Sequence, residues 1–191
     1  MIEEAFQFIR KEINNYFNQK INSSIEERII LGDIAKVVND GELNNKIILS
    51  LVNVEEDRIS RNPDNYVKID DKVIYKNPGV NLNLYCLFTV NREKDYAGAL
   101  KHLSLIIQFF QYKNVFTHDN SPVLNPGIEK LVFDLYNLNF EKLNHLWSAL
   151  GGKYLPSVLY KLKMITIDEG VIDAEAEPIK EIDISGKDFT L

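Results

Sequence analysis

One cysteine, one tryptophan, two methionines and three histidines stand among 191 residues, and each shortage removes a class of protein. A lone Cys86 cannot build an internal disulfide framework and fits a reducing compartment. His102, His118 and His145 are isolated, with no Cys or second His at ligand spacing, so no metal site is expected. No long uncharged apolar run occurs, so no membrane span is expected. The opening stretch MIEEAFQFIRKEI puts acids before bases and has no apolar signal core. Synthesis in the cytoplasm without a signal peptide is the expectation.

Charge of one sign is also missing from most of the chain. The net charge is −6, yet residues 168–191 hold eight acids against two bases, which leaves 20 of each in residues 1–167. A neutral body without a basic cluster is a poor nucleic-acid binder, and no nucleic-acid partner is expected. Hydrophobic residues make up 45% and charged residues 26%, ordinary proportions for a globular domain with one substantial core.

What is present reads as an α/β (α+β) domain. Residues 2–20 place Ile2, Phe6, Ile9, Ile13, Tyr16 and Phe17 at helical spacing. IEERIILGDI and NKIILSLVNV read as strands, the second apolar on both faces and so central in a sheet. Residues 55–78 carry two prolines and many charges, with short β-like pieces at YVKI and KVIY. A protruding hairpin with IDDK at its tip is predicted there. VNLNLYCLFTV follows as a long strand with Leu82, Leu84, Cys86, Phe88 and Val90 on one face. DYAGALKHLSLIIQFFQYK is a helix capped by Asp95, with Leu100, Leu103, Ile106, Ile107 and Phe110 as its buried stripe. SPVLNPG is a loop, and EKLVFDLYNL a strand with Leu131, Phe133 and Leu135 inward. NFEKLNHLWSALGG is a third helix, with Phe140, Leu143, Leu146, Trp147 and Leu150 on one side. Gly151 stops it in the left-handed conformation. In the return strand YLPSVLYKLKMITI, Lys161 and Lys163 share a face suited to water or a partner. The whole predicts a mixed, mostly antiparallel sheet packed with about three helices.

Motifs that carry chemistry are absent. Around GGK a phosphate loop would need glycine where Trp147 stands and Ser or Thr where Tyr154 stands. No GxSxG elbow surrounds Ser148 or Ser157. Trp147, on an apolar helical face, reads as core. Cys86, mid-strand on an apolar face, reads as an inert thiol. No catalytic residue, cofactor or metal is therefore predicted. The densest charge cluster in the body is Glu55, Glu56, Asp57 and Arg58. It is a solvated strand end, a carboxylate pair of a small enzyme or ligand-binding domain, or the rim of an interface.

Three stretches in order, NKIILSLVNVEEDR, NLNLYCLF and LNHLWSALGGKYLPSVLYKLKMITID, with ALKHLSLIIQFFQ between the second and third, carry a resemblance. The chain resembles the cap protein family of contractile injection systems, phage-tail-like particles whose caps are related in role to tail terminators. The resemblance covers most of residues 1–167. It implies a tail-terminator-like fold and a homo-oligomeric ring, expected to be hexameric, that closes the distal end of inner tube and sheath. It implies tube and sheath proteins as partners and no catalysis. An assembly chaperone that never enters the particle, or a small enzyme using Glu55–Arg58, are the alternatives. Residues 1–167 form the expected cap domain, and 168–191 an acidic C-terminal arm. In that arm Ile182 and Ile184 have strand spacing, with Ile179 just before and Phe189 just after. With Glu55, Glu56, Asp57 and Arg58 they are the expected partner-interface residues.

Overall fold

The computed structural model describes residues 1–21, 27–36, 43–57, 66–69, 72–76, 81–92, 94–151, 153–166 and 172–176. The chain divides into two compact units, one of residues 1–60 and 80–167, the other of residues 61–79 and 168–191.

The first unit is an α+β domain. Helix α1 (Ile2–Ile21) leads into strand β1 (Ile29–Leu31), a short 3-10 turn (Ile34–Lys36) and strand β2 (Ile47–Glu56). After the excursion into the second unit come β5 (Leu82–Val90), α2 (Tyr96–Tyr112), β6 (Val115–Thr117), β7 (Ile128–Leu135), α3 (Phe140–Ala149) and β8 (Ser157–Thr166). The six strands form one sheet in the order β1-β2-β5-β8-β7-β6. Only β1 and β2 run parallel; the other pairs are antiparallel.

Helices α1 and α2 cover one face of this sheet. Alternation along β5 sends Leu84, Cys86, Phe88 and Val90 to that side, where all four are buried. Aromatic rings fill the space: Phe110 lies 4.3 Å from Tyr160, 4.6 Å from Phe133 and 5.6 Å from Phe88, centroid to centroid. Such tilted and edge-on pairs suit the ring quadrupoles. Burial alone pushes the Tyr160 hydroxyl up to about 12 and the Cys86 thiol well above its ordinary value, so both stay neutral.

Asn14 of α1 fixes β1 from its far side. Its amide nitrogen donates to the Ile29 carbonyl at 3.0 Å, and its oxygen accepts from the N–H groups of Arg28 and Ile29 at 2.9 and 3.0 Å. A side chain thus supplies hydrogen bonds that a seventh strand would otherwise make.

The buried stripe of α2 is turned relative to the sequence expectation. Leu103 and Ile107 are half-buried and Leu100 is exposed, while Ala99, His102, Ile106, Phe109 and Phe110 face inward. His102 fits because its Nδ1 bonds the Gly98 carbonyl at 2.7 Å and its ring stacks on Phe17. Desolvation and the positive charge of Arg92 pull its pKa down, against the opposing pull of the Gly98 carbonyl. The N-cap is as expected: the Asp95 carboxylate accepts from the Gly98 N–H at 2.8 Å.

Helix α3 packs on the opposite face. Asn139 caps its start, accepting from the Lys142 N–H at 2.9 Å. Gly151 ends it at φ +63°, the glycine stop expected from the sequence. Trp147 is buried with Ile34, Leu43 and Ile48. Phe140 and Leu135, both expected inside, are exposed.

The second unit is a three-stranded antiparallel sheet in the order β3-β4-β9, of β3 (Tyr66–Ile69), β4 (Lys72–Lys76) and β9 (Ile172–Ala176). β3 and β4 are the hairpin expected around IDDK, with Ile69 paired to Lys72. β9 adds a strand from the acidic C-terminal stretch. Ile179, Ile182, Ile184 and Phe189 lie outside the described residues, as does Arg58. No helix among the described residues is long and apolar enough to cross a membrane.

Candidate functional site

β2 begins as a core strand and ends as an exposed one. Ile47, Ile48, Leu49 and Ser50 are buried on both faces, whereas Leu51 and residues 53–56 are exposed. The cause is its neighbour. β1 pairs with β2 only from Ile47 to Leu49. The Gly32 N–H then donates to Leu49 O at 3.3 Å and Ser50 Oγ to Gly32 O at 2.6 Å, after which the chain turns away. The expectation of a central strand therefore holds for the first half of β2 only.

Between Leu51 and Asn53 the pairing with β5 slips by one residue, a bulge at Val52. The bulge turns Val52, Asn53 and Glu55 toward the α3 side of the sheet. There they meet Tyr85 of β5, Leu159 of β8, and Tyr136, Leu138, Lys142, His145 and Leu146 in and before α3. Together these residues line an open cleft of about 370 Å³. The Tyr85 and Tyr136 rings meet edge to face at 5.0 Å. The Tyr85 hydroxyl donates to Glu55 Oε2 at 2.8 Å, and Asn53 Nδ2 donates to Glu55 Oε1 at 3.2 Å. Burial, then the hydrogen bond and charge of Glu55, then Tyr136, push the Tyr85 hydroxyl up to about 12. It is therefore a permanent donor at neutral pH, holding the carboxylate in one orientation. An aromatic-walled cleft lined by one oriented carboxylate, Glu55, together with Lys142 and His145 can seat a side chain that is apolar along its stem and donates a hydrogen bond at its tip to that carboxylate.

The expected interface residues are thus distributed unequally. Glu55 lies in the cleft and Glu56 ends β2. Asp57 closes the β2–β5 ladder, its N–H donating to Asn81 O at 2.8 Å. Tyr85, Tyr136 and His145 were not singled out as cleft residues from the sequence. The available signal was the apolar character of β5 on both faces, since Tyr85 and Leu87 alternate with Leu84 and Cys86.

Elsewhere, Lys153 follows the C-terminal end of α3, where backbone carbonyls and not N–H groups point outward. That is the wrong helix end for a phosphate. No group of three or more His, Cys, Asp or Glu side chains that could hold a metal occurs among the described residues. On β8, Lys161 and Lys163 are half-buried on the α3 face, and Lys163 Nζ lies 3.4 Å from Asp134.

A family model described as the Pvc16 N-terminal domain matches residues 5–181. Two solved structures share the fold. One is the sheath/tube terminator, in the extended state, of PVC, an extracellular contractile injection system. It has a TM-score of 0.54 and 11% identity, covering 93% of this chain and 63% of that one. The other is the anti-feeding prophage cap, AFP tube terminating cap, with a TM-score of 0.55 and 17% identity, covering 91% of this chain and 60% of that one. The chain therefore spans about three fifths of the length of each. No curated protein matches.

Proposed function

The chain belongs to the Pvc16 N-terminal domain family, and from that membership we propose that it is a structural cap. It closes the distal end of a contractile injection particle, ends polymerisation and couples tube to sheath. The observation that carries this is the family match over residues 5–181, supported by a fold shared with two proteins described as terminators. Copies of the chain close into a ring, hexameric by the family resemblance, through heterologous contacts. Its partners are the inner tube and sheath proteins, and its work is binding and not catalysis. Glu55, Glu56, Asp57 and Arg58 form one contact patch, and Ile179, Ile182, Ile184 and Phe189 another. The protein is made in the cytoplasm and is incorporated into an injection particle that can be released from the cell.

Reconstruction of purified particles tests this. Sixfold density at the tube's far end, fitted by residues 1–167, is expected. Particles whose ends are closed without this chain would overturn the proposal.

A further inference from the structure

We propose that the outer half of β2 binds an extended, basic segment of a different protein as an added strand, with one basic side chain seated in the Glu55–Tyr85 cleft. The inference rests on the cap reading for its setting alone; the surface is argued from the chain itself.

The backbone comes first. Ile47 N–H donates to Arg28 O, and Leu49 O accepts from Gly32, so odd positions at the start of β2 point toward β1. Past the bulge, Asp57 N–H points back to Asn81 of β5. The alternation on either side of the bulge therefore turns the N–H and C=O groups of Leu51 and Val54 to the outer edge. β1 has ended by then. Among the described residues no strand pairs with β2 there, and Leu51 and Val54 are 40% and 44% exposed. An edge of this kind is a template for another strand.

Side chains then select the strand. Leu51 and Val54, on the α1 side, favour apolar residues on one face of the incoming segment. On the other face Glu55 stands at the cleft, held by Tyr85 and Asn53, with an aromatic wall beside it. Its two oxygens each accept one hydrogen bond from these groups, and a carboxylate oxygen has room for a second. A lysine or arginine reaches it along Tyr85 and Tyr136. The occupant is thus a segment with apolar and basic residues alternating. Residues 179–189 of a second copy, with three acids against two lysines, fit less well, because their acids would meet the Glu55 carboxylate.

The test uses the full chain, labelled for amide NMR, and three peptides. One alternates valine and arginine, one replaces arginine by glutamate, and one copies residues 179–189. The valine–arginine peptide is expected to bind about tenfold more tightly than the other two. It should slow amide exchange at Leu51 and Val54, and lose affinity as salt rises. The paired change Glu55→Lys with Glu56→Lys should reverse the order of the peptides. Val54→Pro, which removes an outward N–H, should abolish binding. Acidic peptides binding as well as basic ones, protection elsewhere than β2, an affinity indifferent to salt, or no binding by any peptide would each overturn the proposal. The salt and exchange measurements need no variant, so misfolding of either variant leaves the test intact. Peptides behaving as stated while purified particles lack the chain would preserve the edge and defeat the cap. Particles that carry the chain, with peptides behaving otherwise, would do the reverse.

Discussion

On the sheet face under α1 and α2, Phe88, Phe110, Phe133 and Tyr160 are buried against one another. On the face under α3, Tyr85, Tyr136, Leu146 and Leu159 are just as apolar, yet they line an open cleft. Residue type does not separate the two. The covering does: two helices of 20 and 17 residues close the first face, and one of 10 residues lies on the second. A sheet with one face closed and one partly open keeps its fold on the first and offers contacts on the second.

The largest effect should come from emptying the closed face. Phe133→Ala removes a ring 4.6 Å from Phe110 and 6.0 Å from Phe116 at a site 1% exposed. A loss of about 3–5 kcal/mol in denaturant unfolding is expected, from lost burial plus the cavity. Tyr136→Ala, on the open face, should cost less than half as much. Equal costs would mean that the two faces contribute equally to stability, and the comparison would fail.

Next is the edge that the chain closes for itself. Asn14→Ala leaves two N–H groups and one carbonyl of Arg28 and Ile29 without their partner. About 2–4 kcal/mol should be lost, since each orphaned group costs about 1–3 kcal/mol and water recovers part of it. Amide exchange should accelerate at β1 before it does at β5. Uniform acceleration would show that Asn14 is not specific to the edge.

How much of this could be read from residues alone depends on the distance over which each feature is made. Local signals served well. Asp95 and Gly151 mark a helix start and a helix stop through contacts within a few residues, and both stand where expected. The LWSALGGKYLPS corner, also local, is the most specific part of the three stretches that together carry the family resemblance. Features made by distant pairing were hidden. Glu55 and Tyr85 are 30 residues apart, and the bulge that brings Glu55 into the cleft leaves no mark in composition. β9 pairs with β4 across roughly a hundred residues, so Ile172–Ala176 reads as acidic tail until its partner is known. The face of α2 was misjudged because His102 counts as polar, although Gly98 and Phe17 make it a core residue.

Gly151→Val comes third in size. A Cβ there would meet nothing within 4 Å, so any penalty belongs to the backbone at φ +63° and not to crowding. About 1–3 kcal/mol is expected for a β-branched residue in that region. Lys153→Ala, two residues on and exposed, should leave melting unchanged. A melting point for Gly151→Val equal to wild type would mean that α3 can end without a left-handed residue. The open face would then be less firmly held than the structure implies.

The smallest expected effect sharpens the comparison by pH. Tyr85 on the open face and Tyr160 on the closed face are both raised from 10.0 to about 12. A raised pKa means that the folded state holds the proton more tightly than the unfolded chain does. The stability this adds is fully present below pH 10 and is lost as pH climbs toward 12. The causes differ: burial alone acts on Tyr160, while Glu55 adds its hydrogen bond and charge at Tyr85. At neutral pH Tyr85→Phe removes one hydrogen bond to a carboxylate that water can still reach, so a loss of about 1 kcal/mol or less is expected. Between pH 10 and 12 the variant should lose stability less steeply than wild type, because one of the two raised tyrosines is gone. Glu55→Gln should lower the Tyr85 titration, followed by absorbance, without moving that of Tyr160. If Glu55→Gln moved both, the two faces would be coupled through β5. The cleft could not then be treated as a surface independent of the core.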